Sequence, residues 1–396
     1  MRNFVSSRAH TIPPSGIRKF FDLLLSMEDV ITLGVGEPDF NTPWSVAEAG
    51  IYAIEQGYTS YTSNKGLLPL RQLVSRDFNH RYGVRYDPET EIIITSGVSE
   101  GLDIALRSVI DPGDEVLVAE PCYVAYAPCV TLAGGVPVPV PCDSTREFRL
   151  TPDALMEKIT AKSKILVMNF PNNPTGAVMQ RSHLKEIADI VIDHDLLIVS
   201  DEVYSELTYA GRHTAVASIE GLRDRVITLN GFSKSYSMTG WRVGYLCAPP
   251  SLSEAALKIH QYVMLCAPIM AQMAAIEALK NGEEEKGRMT REYHLRRNLF
   301  VEGLNRVGLS CHMPEGAFYA FPSVQKTGLD DVTFADLEDI PYFFGKSHLS
   351  LPQHSRKWHD GLRRIVRAVC FDCCLKRIYA RPQSGVFAFK SRQFRG

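Results

Sequence analysis

Short apolar runs that end in turn residues recur through most of the chain, and stretches with helical spacing separate them. Such runs are typical of buried strands, and the amphipathic stretches are typical of helices. Their alternation over residues 91–248 predicts a mainly parallel, helix-covered sheet with ligand-binding groups at the strand ends. The predicted strands include 91–95, 114–120, 164–170, 196–204 and 226–229, and the predicted helices include 44–55, 67–78, 183–194, 252–280 and 288–306.

One lysine has an unusual place in this pattern. Lys234 follows the predicted buried strand 226–229, inside a turn of small residues. Most lysines lie on a solvated face, so this position makes Lys234 a candidate for chemistry. A lysine that forms a covalent imine needs little water and a neighbouring cation, because both lower its pKa. Arg242, eight residues further on, is either that cation or an anchor for a phosphate.

Polar residues close three other predicted strands. Asp201 ends an apolar strand, where a buried carboxylate needs a cationic partner, and an arginine could supply one in a structural salt bridge. Gly97 precedes a predicted helix whose first amides, from Val98 and Ser99, can bind an anion, although many such turns bind nothing. Asn173 lies before a proline in Pro-Asn-Asn-Pro-Thr-Gly, where it either directs its amide or only stabilises the turn.

The composition is ordinary for a soluble globular protein. With 396 residues the chain exceeds the usual size of one domain, which predicts two. The net charge of −2 argues against a nucleic-acid partner. The N-terminus lacks the apolar core of a signal peptide, and no apolar run is long enough to span a bilayer. Because nine scattered cysteines do not form a disulfide framework, we expect a cytoplasmic protein with no membrane partner.

The C-terminal segment differs from the rest of the chain. Residues 341–396 contain 12 Lys+Arg against 2 Asp+Glu, a net charge of +10, whereas residues 1–340 carry −12. Cys370, Cys373 and Cys374 lie close together here, but they lack the second ligand pair that a structural zinc site needs. We therefore expect no metal site.

Ser233-Lys234 and the following Met-Thr-Gly-Trp-Arg-Val-Gly-Tyr, residues 238–245, resemble the cofactor-lysine signature of a known family. The family is the fold type I pyridoxal-phosphate aminotransferases of class I/II, in the aspartate aminotransferase branch. The resemblance extends from about Ser15 to Ser323. It implies an α/β fold: a large domain with a mainly parallel seven-stranded sheet covered by helices, and a smaller α+β domain from both chain ends. The implied small domain comprises residues 1–40 and 280–396, and the large cofactor-binding domain comprises residues 41–279.

The resemblance also implies a role for each matching residue. Lys234 holds pyridoxal 5'-phosphate covalently, and Asp201 keeps its pyridine nitrogen protonated. Asn173 and Tyr204 bind the phenolic oxygen, and Tyr123 stacks on the ring, although core packing also accounts for that tyrosine. The other implied cofactor ligands are Val98, Ser99, Ser233, Arg242 and Tyr61 of the partner subunit; the substrate-binding residues are Gly36, Asn173 and Arg367.

The resemblance fails after about Leu337. The family's C-terminal strand carries an arginine that binds the substrate carboxylate through two hydrogen bonds, but residues 340–348 have no such motif. Arg367 is the nearest local match, and Arg364 is the second candidate. Because the change in charge, the loss of the motif and the cysteines coincide, we hypothesise that the natural reading frame was lost near residues 338–341.

The function implied by the resemblance is transamination between an L-amino acid and a 2-oxo acid such as 2-oxoglutarate. The reaction is ping-pong through pyridoxamine phosphate in a homodimer, with the freed Lys234 amine as general base. Aspartate is the favoured donor, aromatic amino acids come next, and a diaminopimelate-pathway substrate is a third option. Two alternatives stay open: a carbon–sulfur β-lyase on the same fold, and a non-catalytic cofactor-binding relic, indicated by the altered C-terminus.

Overall fold

A seven-stranded sheet forms the centre of the protein, whose computed structural model describes residues 2, 4–13 and 36–331. The strands are β1 (Ile92–Thr95), β2 (Glu115–Glu120), β3 (Val136–Pro141), β4 (Ser163–Asn169), β5 (Leu197–Asp201), β6 (Val226–Gly231) and β7 (Gly244–Cys247). Their order across the sheet is β1-β7-β6-β5-β4-β2-β3. Mixed α/β structure with a mainly parallel sheet of seven strands is therefore confirmed.

The strand directions bring several carboxyl ends to one edge of the sheet. From β6 through β5, β4 and β2 to β3, neighbouring strands run parallel. Strand β7 runs antiparallel to both β1 and β6, so β1 points in the same direction as β6. Open sheets of this kind bind their ligands beyond the carboxyl ends of the strands. At this edge lie Thr95, Asn169, Asp201 and Gly231.

Helices cover both faces of the sheet. Successive strand residues alternate between two hydrophobic clusters, as Ile92 and Ile93 do on β1, because side chains along a strand point to opposite faces. Each face therefore needs its own layer of helices. The helices of the described residues are α1 (Ser7–Thr11), α2 (Trp44–Glu55), α3 (Leu68–Tyr82), α4 (Val98–Val109), α5 (Tyr126–Ala133), α6 (Pro152–Lys158), α7 (Arg181–Asp193), α8 (Pro250–Val263), α9 (Ile269–Asn281) and α10 (Glu283–Val307).

Two predicted helices have different bounds in the structure. The stretch 252–280 forms two helices, α8 and α9, because Pro268 cannot continue a helix and instead lies at the N-cap of α9. Helix α10 begins at Glu283 rather than at residue 288. Its first turn is acidic, and negative side chains stabilise the positive end of a helix.

Contacts divide the described chain into two compact units. The larger unit contains residues 4–13, Glu37–Thr290 and Glu315–Ala317, and it includes the whole sheet. The smaller unit contains Gly36, Arg291–Pro314 and residues 318–331. The domain boundaries implied by the resemblance stay a prediction. Within the described ranges, no helix has both the length and the apolar character that crossing a bilayer requires.

Candidate active site

The ends of β5 and β6 bring an acid and an amine to the same edge of the sheet. Asp201 is the last residue of β5 and pairs in register with Asn169 on β4. Lys234 lies three residues beyond the end of β6. Its Nζ is 5.9 Å from the centre of the Tyr204 ring, and Tyr204 is buried. The structure therefore brings Lys234 and Tyr204 together at the edge where Asp201 ends its strand.

The loop that carries Lys234 is held by its own backbone. The Tyr236 amide donates to the carbonyl oxygen of Phe232 (3.1 Å), and the Met238 amide donates to that of Ser233 (3.2 Å). Ser233, the residue before Lys234, is buried. These bonds fix the direction in which the Lys234 side chain leaves the backbone.

The pKa of Lys234 is lowered to about 8, chiefly by burial and to a smaller extent by the positive charge of Arg242. The negative charges of Glu37 and Asp201 raise the same pKa, so they oppose part of this effect. Glu37, which the sequence did not single out, accepts a hydrogen bond from the Thr239 hydroxyl. The balance leaves a useful fraction of Lys234 as free amine near neutral pH.

Burial has the opposite effect on Asp201 and raises its pKa to about 6. The Tyr126 hydroxyl donates to one carboxylate oxygen (2.8 Å), and the Val203 amide donates to the other (3.2 Å), and both bonds lower the pKa. Tyr126 is 1% exposed and begins α5. Sequence analysis assigned no role to Tyr126, because the local sequence does not show which distant carboxylate its hydroxyl contacts.

A second residue missed by the sequence, Asn169, links two parts of the site. Its side-chain amide donates to the Asp201 carbonyl oxygen (2.8 Å), and its oxygen accepts from the Asn173 amide (2.9 Å). The turn is stabilised further by Asn172, whose side-chain oxygen accepts from the Thr175 amide (3.0 Å) and hydroxyl (2.8 Å). These buried amides fix the backbone of Asn173 beside the end of β5.

The start of α4 and a guanidinium group form the anion-binding side. Gly97 has a φ of 77°, a conformation that favours glycine, and it is the N-cap residue before Val98 and Ser99. A Cβ on Gly97 would lie 2.6 Å from Nη2 of Arg242. Arg242 is in turn held by a bond from its Nη1 to the Thr239 carbonyl oxygen (3.0 Å). Free helix amides and a cation at one point are suited to a phosphate.

Three glycines form the base of the site, and we call them the glycine floor: Gly97, Gly231 and Gly244. A Cβ on Gly244 would lie 2.9 Å from the Gly97 carbonyl carbon and from the Val98 nitrogen. One on Gly231 would lie 2.9 Å from the Gly244 Cα. The backbones following β1, ending β6 and starting β7 can approach this closely only without side chains.

Tyr123 lies next to the acid side of the site. Its ring centre is 5.8 Å from that of Tyr126, with the rings nearly perpendicular. Burial raises the pKa of Tyr123, and the charge of Asp201 raises it too, whereas that of Arg242 lowers it. The charges of Asp201 and Arg242, at the two ends of the proposed cofactor site, therefore both act on Tyr123. Its side chain is half-buried, which suits a residue that stacks on a ring.

The remaining predicted residues lie elsewhere or outside the described chain. Tyr61 is 83% exposed on the larger unit. Gly36 belongs to the smaller unit, where a Cβ would overlap the Tyr319 hydroxyl. Arg367 and Arg364 lie outside the described residues, as does the whole segment 341–396. Their predicted roles stay predictions.

Pyridoxal 5'-phosphate fits this set of groups. The site has an amine with a lowered pKa for its aldehyde, a buried acid for its pyridine nitrogen and an aromatic side chain for its ring. The helix start and Arg242 suit its phosphate, and the Gly97 backbone leaves room for close approach. Over the residues that the structure describes, no group of three or more His, Cys, Asp or Glu side chains could hold a metal ion.

Comparison with known proteins identifies the family. The profile of the family "Aminotransferase class I and II" matches residues 28–338. The Bacillus subtilis relative YugH, whose name gives the class aminotransferase but no substrate, is 50% identical over 85% of this chain and 87% of its own. Aromatic-amino-acid aminotransferase 2 of Thermococcus litoralis is 43% identical, over 84% of this chain and 86% of its own.

A solved structure supports the same assignment. Aspartate aminotransferase from Thermus thermophilus with maleate has a TM-score of 0.82 and 33% identity, over 92% of this chain and 100% of its own. Because these relatives are named as aminotransferases, the comparisons do not favour the lyase or the relic. The fold, the lysine site and these matches together show that the chain belongs to the class I and II aminotransferases, the fold type I enzymes that use pyridoxal phosphate for transamination.

Proposed function

We propose that this enzyme transfers the amino group of aspartate to 2-oxoglutarate, with Lys234 moving the proton at the substrate Cα. The observation that carries the catalytic part is the perturbed pair at one sheet edge: Lys234 with a pKa of about 8 and Asp201 with a pKa of about 6. An amine of that pKa is matched to proton transfer near neutral pH. An acid of that pKa is ionised at neutral pH and stabilises a cation beside it.

The other residues hold the cofactor in place. Bound pyridoxal phosphate supplies an electron sink for the electron pair that remains at Cα when the proton leaves. Asp201 would keep a proton on the pyridine nitrogen, Tyr204 and Asn173 would donate to the phenolic oxygen, and Tyr123 would stack on the ring. The phosphate is bound by Val98, Ser99, Ser233 and Arg242. Gly36, Asn173 and Arg367 bind the substrate.

The choice of donor rests on the names of relatives. The aspartate aminotransferase of Pyrococcus abyssi is 41% identical over 84% of this chain and 86% of its own. An aromatic-amino-acid enzyme at 43% identity makes aromatic donors the second candidate. A panel of amino donors with 2-oxoglutarate decides between them: we expect the highest kcat/KM with aspartate. A higher value with phenylalanine or tyrosine would contradict the proposed donor.

The role of Lys234 is tested by absorbance. The covalent link between the lysine and the aldehyde gives a band near the edge of the visible range, and this band should disappear in Lys234→Ala. Lys162→Ala is the matched control, because Lys162 is an exposed lysine away from the sheet edge that forms the site. Persistence of the band in K234A would overturn the assignment of Lys234.

We also propose a homodimer in the cytoplasm, in which Tyr61 of the partner subunit reaches the phosphate. In support, Tyr61 is 83% exposed and Tyr262 is 87% exposed, values that are unusual for large aromatic side chains. The loop of Tyr61 lies against the exposed apolar segment 262–265, because the Asn64 side chain donates to the Leu265 carbonyl oxygen (2.8 Å). A contiguous apolar surface of this kind is suited to a second copy of the chain. The free cysteines of the described residues agree with a reducing compartment.

A further inference from the structure

A buried acid and a buried histidine lie behind the anion-binding turn, and no role described above uses them. Glu100, on α4, is 9% exposed, and His260, on α8, is 0% exposed. His260 Nδ1 and a Glu100 carboxylate oxygen are 2.5 Å apart. A buried pair of this kind is costly to desolvate, so its partners are worth tracing.

The second carboxylate oxygen of Glu100 contacts the turn itself. It accepts a hydrogen bond from the backbone amide of Ser96, the residue before Gly97. Gly97 in turn precedes Val98, the first residue of α4. The side chain of Glu100 therefore ties the entrance of the turn to the first turn of the helix whose amides face the anion site.

His260 fixes Glu100 from the opposite helix. In the tautomer that carries its proton on Nδ1, His260 donates a hydrogen bond to Glu100. The other ring nitrogen, Nε2, is buried and has no hydrogen-bond partner among the described residues. Glu100 is thus the one polar group of the described chain to which the His260 side chain is bonded, and the histidine holds the carboxylate in the orientation that reaches Ser96.

A carboxylate beside a phosphate site opposes anion binding by charge, so attraction does not account for Glu100. Its geometry does. We propose that Glu100 and His260 are positioning residues that keep the Ser96–Val98 turn in its phosphate-binding conformation before the cofactor arrives. This inference rests on the proposed cofactor site and adds a reason why its amides are preorganised.

The test compares two substitutions of His260 in the cofactor-free protein. His260→Asn keeps a donor near the position of Nδ1, whereas His260→Leu has similar bulk and no donor. The dissociation constants of pyridoxal 5'-phosphate and of pyridoxal, which lacks the phosphate, are measured for both variants. We expect H260L to raise the dissociation constant of pyridoxal phosphate by about tenfold, which is the effect of losing one well-oriented hydrogen bond. The dissociation constant of pyridoxal should stay unchanged. H260N should stay close to the wild type with both ligands.

A pair of Glu100 variants gives the same answer if H260L does not fold. Glu100→Gln keeps the length: its oxygen can accept from the Ser96 amide, and its NH2 can donate to His260 Nδ1 once the imidazole proton moves to Nε2. Glu100→Asp is too short to reach both. E100D should therefore weaken the binding of pyridoxal phosphate but not that of pyridoxal, and E100Q should weaken neither. Equal weakening of both ligands, or no change in either, would overturn the inference. A separate result would contradict the proposed function: a wild-type protein that does not bind pyridoxal at Lys234.

Discussion

Burial changes Lys234 and Asp201 in opposite senses, and each change removes charge from its side chain. The pKa of Lys234 falls to about 8 and that of Asp201 rises to about 6, in both cases chiefly because desolvation disfavours the ionised form. In the absence of a bound cation, an ionised Asp201 therefore destabilises the folded protein. The same carboxylate becomes favourable once a protonated pyridine nitrogen lies beside it.

This predicts that Asp201→Asn stabilises the cofactor-free protein. The folded-state pKa of about 6 exceeds the ordinary value of 3.8, so the penalty is fully present above pH 6 and declines progressively as the pH falls from 6 to 3.8. At pH 7.5 the free energy of unfolding should rise by about 1–3 kcal/mol, with the upper figure set by about 1.4 kcal/mol per pKa unit. Denaturant titrations at pH 7.5 and pH 4.5 measure the difference.

The exposed Asp189 on α7 provides the control, since Asp189→Asn changes a charge that water already solvates. D189N should have little effect at either pH. Equal stabilisation by D201N at both pH values would contradict a raised pKa for Asp201.

At the residue scale, the sequence predicted the groups that carry charge but not the neutral groups that orient them. Lys234 and Asp201 stand out because a charged residue at the end of an apolar strand is rare. Tyr126 and Asn169 do not stand out, since a tyrosine on a helix and an asparagine before a turn are common. Their roles depend on partners from distant parts of the chain, which only the folded structure shows.

At the element scale, the direction of one short strand determines the site. Strand β7 is antiparallel and lies between β1 and β6. It allows the turn after β1 and the loop after β6 to face the same edge while β7 begins between them. The short strand β7 does not reveal its direction in the sequence, and the alternating pattern predicted β1, β2, β4, β5 and β6 but neither β7 nor the edge strand β3.

The hydrogen bonds of Asn169 give a prediction at this scale. Asn169→Ala removes one hydrogen bond to the strand end at Asp201 and one to the turn at Asn173. The free energy of unfolding should therefore fall by about 2 kcal/mol. Because both site segments lose a fixed position, kcat should fall by about tenfold or more. Denaturant titration and steady-state kinetics measure the two effects.

Asn305→Ala is the matched control. Asn305 also bonds to backbone groups, those of Val301 and Cys311, but in the smaller unit. N305A should lower stability and leave kcat nearly unchanged. A normal kcat in N169A would show that the bridge serves stability alone.

At the scale of the whole molecule, the proposed homodimer makes each site depend on two chains. We predict that co-expressed Lys234→Ala and Tyr61→Phe chains form mixed dimers with one intact site. In such a dimer, the lysine of the Y61F chain would pair with the tyrosine of the K234A chain. At limiting cofactor the mixed dimer should show about half the wild-type activity, which differentially tagged chains allow to be measured.

If Tyr61 instead served the site of its own chain, neither site of the mixed dimer would be intact. One site would lack the lysine and the other would lack the tyrosine. Activity at limiting cofactor would then stay at about half the level of the Y61F homodimer. Dimers of each variant alone serve as the two references. Monomers in solution would contradict the proposal directly.

The C-terminal segment is the second feature of the whole molecule. The family match ends at residue 338, where the charge pattern also changes. We propose that the natural frame was lost there, and resequencing the gene tests this. A family-like continuation in another frame, with an arginine for the substrate carboxylate, is expected. An intact frame with no such continuation would refute the proposal and leave Arg367 as the candidate.

The glycine floor limits how this enzyme could be redesigned. A side chain on Gly97 would overlap Arg242, one on Gly231 would overlap Gly244, and one on Gly244 would overlap Gly97 and Val98, so randomising these glycines would yield mostly inactive clones whatever the target amino donor. Libraries aimed at new specificity are better spent on Tyr123 or Glu37, whose side chains border the site without filling its base. Directed evolution should therefore recover new activities with all three glycines unchanged.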